Sequence, residues 1–224
     1  MATTKKKQAE KTSRQRAAPR LSGRSLGRPE GSDGASTRAR LLEVAASLFA
    51  RDGYAGVSMA DIAGAAGLTA AAIYNHFGSK DDLFIAATTN MYEEIAGAFA
   101  EAASVPGTWR QRLFAMLDMA SDVYREDAVL QRLGEVAQVK AHQDPARYNA
   151  INNAYVVVQQ VFRDVMADAR AAGEVPADLD AAMAGDLLCS MVLMGISGVT
   201  HAYPSQADFD VLVRAFKLFV GDGA

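Results

Sequence analysis

Between Thr69 and Lys80 the sequence TAAAIYNHFGSK gathers a hydroxyl, a phenol, an amide, an imidazole and an ammonium around three successive alanines. The Asn75 amide is of the type that pairs with adenine through two hydrogen bonds in the major groove of DNA, and alanine methyls can touch a thymine methyl. Thr69, Tyr74, His76 and Lys80 offer polar tips and a positive charge along one edge, which suits gripping phosphates. The chemistry on offer is recognition of duplex DNA, with Ala70, Ala71, Ala72 and Asn75 towards the bases.

A short helix must aim these groups. At about 100° per residue, Phe77 and Ala70 fall within about 60° of Ile73, whereas Ala71 and Asn75 lie on the opposite side, flanked by Ala72 and Tyr74. Ile73 and Phe77 would hold this helix, from about Ala70 to His76, on a neighbour, and Gly78 closes it. Thr69 takes the N-cap position, where its hydroxyl and the nearby N–H groups also suit a phosphate. Upstream, Leu41, Ala45, Leu48 and Phe49 recur at helical spacing from Thr37, with Leu42 beside them, and Asp52-Gly53 stops that helix. Ser58-x-x-Asp61 has the spacing of a capping box and opens a segment ending near Gly67; Ser79-x-x-Asp82 repeats the pattern and starts a longer helix. Three short helices with a Gly-containing turn between the second and third form a helix-turn-helix pattern.

The stretch TRARLLEVAASLFARDGYAGVSMADIAGAAGLTAAAIYNHFGSKDDLF, residues 37–84, resembles the TetR family of bacterial transcriptional repressors. The likeness lies in Phe-x-x-x-Gly-Tyr, then Ser-x-x-x-Ile-Ala-x-x-Ala-Gly, then Ile-Tyr-x-His-Phe-x-x-Lys-x-x-Leu. It implies a dimeric repressor whose third helix enters the major groove, and an all-helical C-terminal domain that binds an inducer and forms the dimer. By that resemblance Thr69, Tyr74, His76 and Lys80 fall on backbone-contacting positions and Ala70, Ala71, Ala72 and Asn75 on base-facing ones, with Ser58 near a phosphate. Met59 and Ala60 stand where many members place Thr or Arg. With three alanines in the reading helix, part of the specificity shifts to DNA shape.

Charge supports this division. Residues 1–80 carry a net +7 and residues 81–224 a net −10, so the polyanion-facing part is N-terminal. Residues 1–35 form a basic arm, expected to be disordered for want of large apolar residues. Its GRSLGRPEG run could insert Arg24 or Arg28 into a narrow minor groove. Residues 36–80 are the expected DNA-binding domain.

Residues 81–224 read as one larger helical ligand-binding and dimerisation domain, making the chain all-α with about nine helices. Helical periodicity is broken at Pro106-Gly107, Asp144-Pro145, Gly173 to Pro176 and Pro204. One stripe is Trp109, Leu113, Met116, Leu117, Ala120 and Tyr124. Others are Tyr148, Ile151, Tyr155, Val158, Phe162 and Val165; Leu187, Met191, Met194 and Gly198; and Phe209, Leu212, Phe216 and Phe219. Trp109, Met116, Met119, Tyr124, Tyr148, Tyr155 and Met191 are the expected lining of a pocket for a small hydrophobic ligand, an elongated acyl or polycyclic compound for choice. The spacing of Tyr148, Asn152, Tyr155 and Gln159 adds amides to one such face; a half-exposed helix surface would look the same. The longest apolar run, Leu187 to Val199, is too short to span a bilayer and reads as a buried helix; residues 187–203, with the last helix at 209–220, either form a homodimer or pack within the monomer.

Other functions lack their signatures. Gly195-Ile196-Ser197-Gly198 is not a nucleophile elbow, and no phosphate loop or dinucleotide fingerprint occurs. His76, His142 and His201 have no partner at metal-ligand spacing. No cofactor, metal or enzymatic activity is expected. The single Cys189 excludes an intrachain disulfide, no signal peptide is expected, and the setting expected is cytoplasmic. The rival is a DNA-binding regulator without an inducer, controlled by abundance or a protein partner.

Overall fold

The computed structural model describes residues 34–126, 129–202 and 206–221, with side chains left out at 124–126, 129–130, 194–202 and 206–209. Arg28, the arm and the side chain of Tyr124 therefore lie outside the described residues. Within them the secondary structure is all helical: α1 Gly34–Gly56, α2 Met59–Ala65, α3 Ala70–Tyr74, α4 Lys80–Ala103, α5 Trp109–Glu126, α6 Val129–Gln143, α7 Asn149–Ala171, α8 Ala181–Ala202 and α9 Gln206–Val220.

Local chemistry sets the first three helices. Gly53 breaks α1 with φ 71°, a left-handed conformation that glycine adopts without strain. Ser58 caps α2 reciprocally: its Oγ accepts from the Asp61 N–H at 3.1 Å, and the Asp61 carboxylate accepts from the Ser58 N–H at 2.9 Å. Gly67, φ 68°, turns the chain, and the Leu68 N–H closes on the Ala63 carbonyl at 2.8 Å. Thr69 Oγ1 caps α3 by accepting from the Ala72 N–H at 3.2 Å. The third helix is shorter than its expected end at His76, because Asn75 already occupies the C-cap. Ser79 caps α4, its hydroxyl accepting from the Asp82 N–H and donating to the Asp82 carboxylate.

One core runs through the chain. Leu41, Ala45 and Phe49 of α1, Ile62 of α2, Ile73 and Phe77 meet Leu83 and Phe84 of α4. Phe84 sits edge-on to Phe49 at 5.1 Å and to Tyr148 at 6.2 Å, so this long helix joins the N-terminal trio to the C-terminal helices. Farther along, Phe99 of α4 meets Phe162 of α7 edge-on at 5.1 Å. Helix α7 lies between α4 and α8, and α1 rests on α6 as well as α4.

Two expectations are corrected. The stripe of α8 is reversed: Ala181, Gly185, Cys189 and Val192 face inward, while Leu187 is 60% and Met191 47% exposed. A tight approach to α7 explains it, since a Cβ on Gly185 would stand 2.6 Å from the Arg163 Cα and N. Helix α8 is thus not buried all round, and on α9 Phe219 is 92% exposed. No helix among the described residues is long and apolar enough to cross a membrane.

Candidate nucleic-acid interface

Helix α3 is held by Ile73 and Phe77, both buried, on the packed side of the N-terminal trio. Its other side is open: Ala70, Ala71, Tyr74 and Asn75 are exposed, Ala72 and His76 half-buried. Ala70 was expected on the packed face as well as at a base; as the opening residue of a five-residue helix it is exposed. Thr69 is exposed, and its capping bond uses the hydroxyl only as an acceptor, leaving its proton for a phosphate oxygen. Ser58 differs. Its hydroxyl accepts from the Asp61 N–H and also donates to the Asp61 carboxylate at 2.6 Å, so a phosphate must compete with that bond. The hydrogen bonds from the Ser58 hydroxyl and N–H hold the Asp61 carboxyl below its usual range.

Lys80 does not extend along the open edge of α3. Its ammonium lies 4.2 Å from the centre of the Tyr54 ring, and burial, with Lys140 nearby, lowers its pKa. A cation not singled out from the sequence stands beside α3 instead: the Arg38 guanidinium lies 4.9 Å from the centre of the Phe77 ring. Two arginines in the opening turns of α1 were the available signal.

The residues expected to line a ligand pocket are not brought together. Trp109 opens α5, and its backbone N–H donates to the Glu174 carboxylate, just beyond the end of α7, at 2.8 Å. Tyr148 precedes the first residue of α7. The length of α7, about 34 Å at 1.5 Å per residue, separates these two neighbourhoods. Met116 is core; Met119, Asn152 and Gln159 are half-buried; Met191 is exposed. An open groove of about 430 Å³ is lined by Tyr54, Ala55, Glu135, Val136, Val139, Lys140 and Gln143, none of them candidates.

Tyr155 has different neighbours. It meets Tyr92 edge-on at 5.6 Å and lies close to Ser190 and Cys189. Burial pushes the Tyr155 phenol and the Cys189 thiol each up to about 12, so both stay protonated. The Tyr92 oxygen accepts from Gln138 at 3.1 Å. One turn before Tyr92, Thr88 keeps a buried hydroxyl with no hydrogen-bond partner. These residues make a neutral polar interior that spacing along any one helix did not reveal. No group of three or more His, Cys, Asp or Glu positioned to hold a metal occurs among the described residues.

Known proteins match this arrangement. Residues 41–87 match the family described as bacterial regulatory proteins, tetR family. The HTH-type transcriptional regulator AcrR of Shigella flexneri is 50% identical over 48 residues, 21% of this chain and 22% of that protein. The HTH-type transcriptional repressor KstR2 of Rhodococcus jostii is 34% identical over 64 residues, 29% of this chain and 31% of its own length. The chain therefore spans less than a third of these two relatives. The solved structure of the transcriptional regulator FadR from Bacillus subtilis, in complex with stearoyl-CoA, superposes with a TM-score of 0.70 at 17% identity, covering 83% of this chain and 98% of that one. This last likeness is one of fold. Residues 41–87 thus carry a domain of the family described as bacterial regulatory proteins, tetR family, and the all-helical body behind it shares the fold of that solved structure.

Proposed function

We propose that the protein is a transcriptional regulator, not an enzyme, acting in the cytoplasm as a repressor that binds a near-palindromic operator as a homodimer. The observation that carries this reading is the open side of α3, where Asn75 stands exposed beside Ala71 and Tyr74 while Ile73 and Phe77 anchor the helix. Dimerisation through α8 and α9 is supported by the large apolar side chains these helices leave in solvent: Met183, Leu187 and Met191 on one, Val211, Leu218 and Phe219 on the other. A two-fold dimer would set two reading helices about one DNA turn apart, 34–36 Å. The basic arm with Arg28 would add phosphate or minor-groove contacts. Deleting residues 1–30 would then weaken binding and flatten its salt dependence.

A small hydrophobic inducer would release the operator from within the C-terminal helices. Tyr92, Gln138, Tyr155 and the spare Thr88 hydroxyl supply neutral polar contacts for such a ligand, and the fold neighbour from Bacillus subtilis was solved with an acyl thioester. The scatter of the other candidate residues favours a second reading, regulation by a protein partner or by abundance. Selection of bound DNA from a random pool, followed by a screen for compounds that release it, tests both. Recovery of no enriched palindrome would sink the DNA-binding reading, and an operator affinity that no metabolite changes would remove the inducer.

A further inference from the structure

Where the N-terminal trio meets the rest of the chain, one carboxylate collects groups from separate helices. Asp81, in the first turn of α4, accepts from the Tyr54 phenol near the end of α1, from the Tyr148 phenol at 2.7 Å and from the Arg147 guanidinium. The Lys140 ammonium, in the last turn of α6, stands 3.6 Å from the centre of the Tyr54 ring and 5.5 Å from that of Tyr148. Lys80 stacks on the same Tyr54 ring. Burial opposes the charge on Asp81, but the two phenols, then Arg147 and Lys140, outweigh it and hold the carboxyl below its usual range. Charge-assisted hydrogen bonds of this kind are the strong ones.

We propose that Asp81 is a positioning residue for DNA recognition. By tying the end of α1 to the start of α7 through the first turn of α4, it sets the angle at which α2 and α3 are held on the C-terminal helices. This rests on the DNA-binding reading above. Helix α4 is shared by both parts, running unbroken from the Ser79 cap to Ala103. A single shared helix does not fix the rotation of what precedes it; contacts at its side must. Packing of α1 on α6 supplies the apolar share of those contacts, and the Asp81 cluster is the polar tie at the same junction. In a dimer the angle of each head translates directly into the separation of the two reading helices, which must match the half-site spacing. A change at the start of α7 would reach the reading head through the same carboxylate.

The test compares the full-length wild type with Tyr148→Phe and Asp81→Asn. Tyr148→Phe deletes one hydroxyl oxygen on the α7 side and keeps the ring that packs on Phe84, so it remains informative where Asp81→Asn fails to fold. Amide exchange over residues 50–56 is expected to quicken about tenfold in Tyr148→Phe, because a hydrogen bond to a charged group is lost across the junction. Unchanged exchange there overturns the proposal whether or not the chain binds DNA. Binding is then measured to the selected operator and to versions with the half-site spacing altered by one base pair. The wild type should prefer one spacing sharply, and both variants should lose at least about threefold of that preference. An identical spacing preference in Tyr148→Phe and wild type also overturns the proposal. Failure of the wild type to select any DNA refutes the functional reading instead, and the exchange measurement then decides the positioning role alone.

Discussion

Replacing Gly185 with alanine would force α7 and α8 apart. The new methyl would stand 2.6 Å from both the Cα and N of Arg163 and 2.9 Å from the carbonyl carbon of Phe162. All three are backbone atoms, so no side chain can swing aside. Non-bonded carbons settle near 3.5 Å, so the helices must separate by roughly 0.9 Å along this line. The movement would also pull on the paired Arg163–Asp186 bonds, at 2.6 and 2.9 Å, one residue away. Overpacking of a rigid core costs about 1–3 kcal/mol, and contacts this short place it near 3. Alanine returns about 1 kcal/mol over glycine within a helix. The net loss of about 2 kcal/mol corresponds to a melting temperature lower by about 4–8 °C in a chain of this size. Gly97, in α4, is the control: a Cβ there meets nothing within 4 Å, so Gly97→Ala should gain about 0.5–1 kcal/mol. Thermal unfolding of both variants at one protein concentration decides the matter, because an oligomer's stability depends on concentration. A Gly185→Ala melting temperature equal to or above wild type would refute the reasoning.

Three more expectations concern separate parts of the molecule. Asn75→Ala should cost about 1–3 kcal/mol on the selected operator while leaving random DNA nearly unaffected; equal losses on both would show that Asn75 reads no base. Leu187→Asp, which charges the exposed face of α8, should convert a dimer to monomer in size-exclusion chromatography with helix content retained, and an unchanged elution volume at low concentration counts against that interface. Asp81 titrates below its usual range in the folded chain, so its stabilisation is complete above the unfolded value of about 3.9 and is lost as pH falls through the lower folded value. Asp81→Asn should therefore flatten the acid limb of stability below about pH 4, and a limb of unchanged steepness would mean that Asp81 contributes nothing there.

Much of the N-terminal part was legible because its determinants are local. The Ser58–Asp61 and Ser79–Asp82 caps involve residues three apart, and the inward turn of Ile73 and Phe77 follows from helical spacing. On α8, hydrophobicity pointed the wrong way. A close helix crossing buries the small residues Gly185 and Cys189, so the large Leu187 and Met191 are left on the outside. Asp81 is one of two acids in the first turn of α4, and nothing in its spacing marks it out. Its partners Arg147 and Tyr148 lie 66 and 67 residues away, beyond any local spacing rule. The pocket candidates are spread along the bundle for a related reason: composition names residue types that suit an apolar ligand but not which end of a helix bundle holds each one.

The caps of the three helices around the reading face have a kinetic consequence. Ser58, Thr69 and Ser79 each find their hydrogen bonds within the chain itself. The head is thus complete before DNA arrives, and the entropy of ordering it is spent during folding rather than at docking. Encounter should then be governed by charge steering and diffusion, with no slow folding step in the way. Right and wrong sequences would be met at similar rates and told apart by how long each complex lasts.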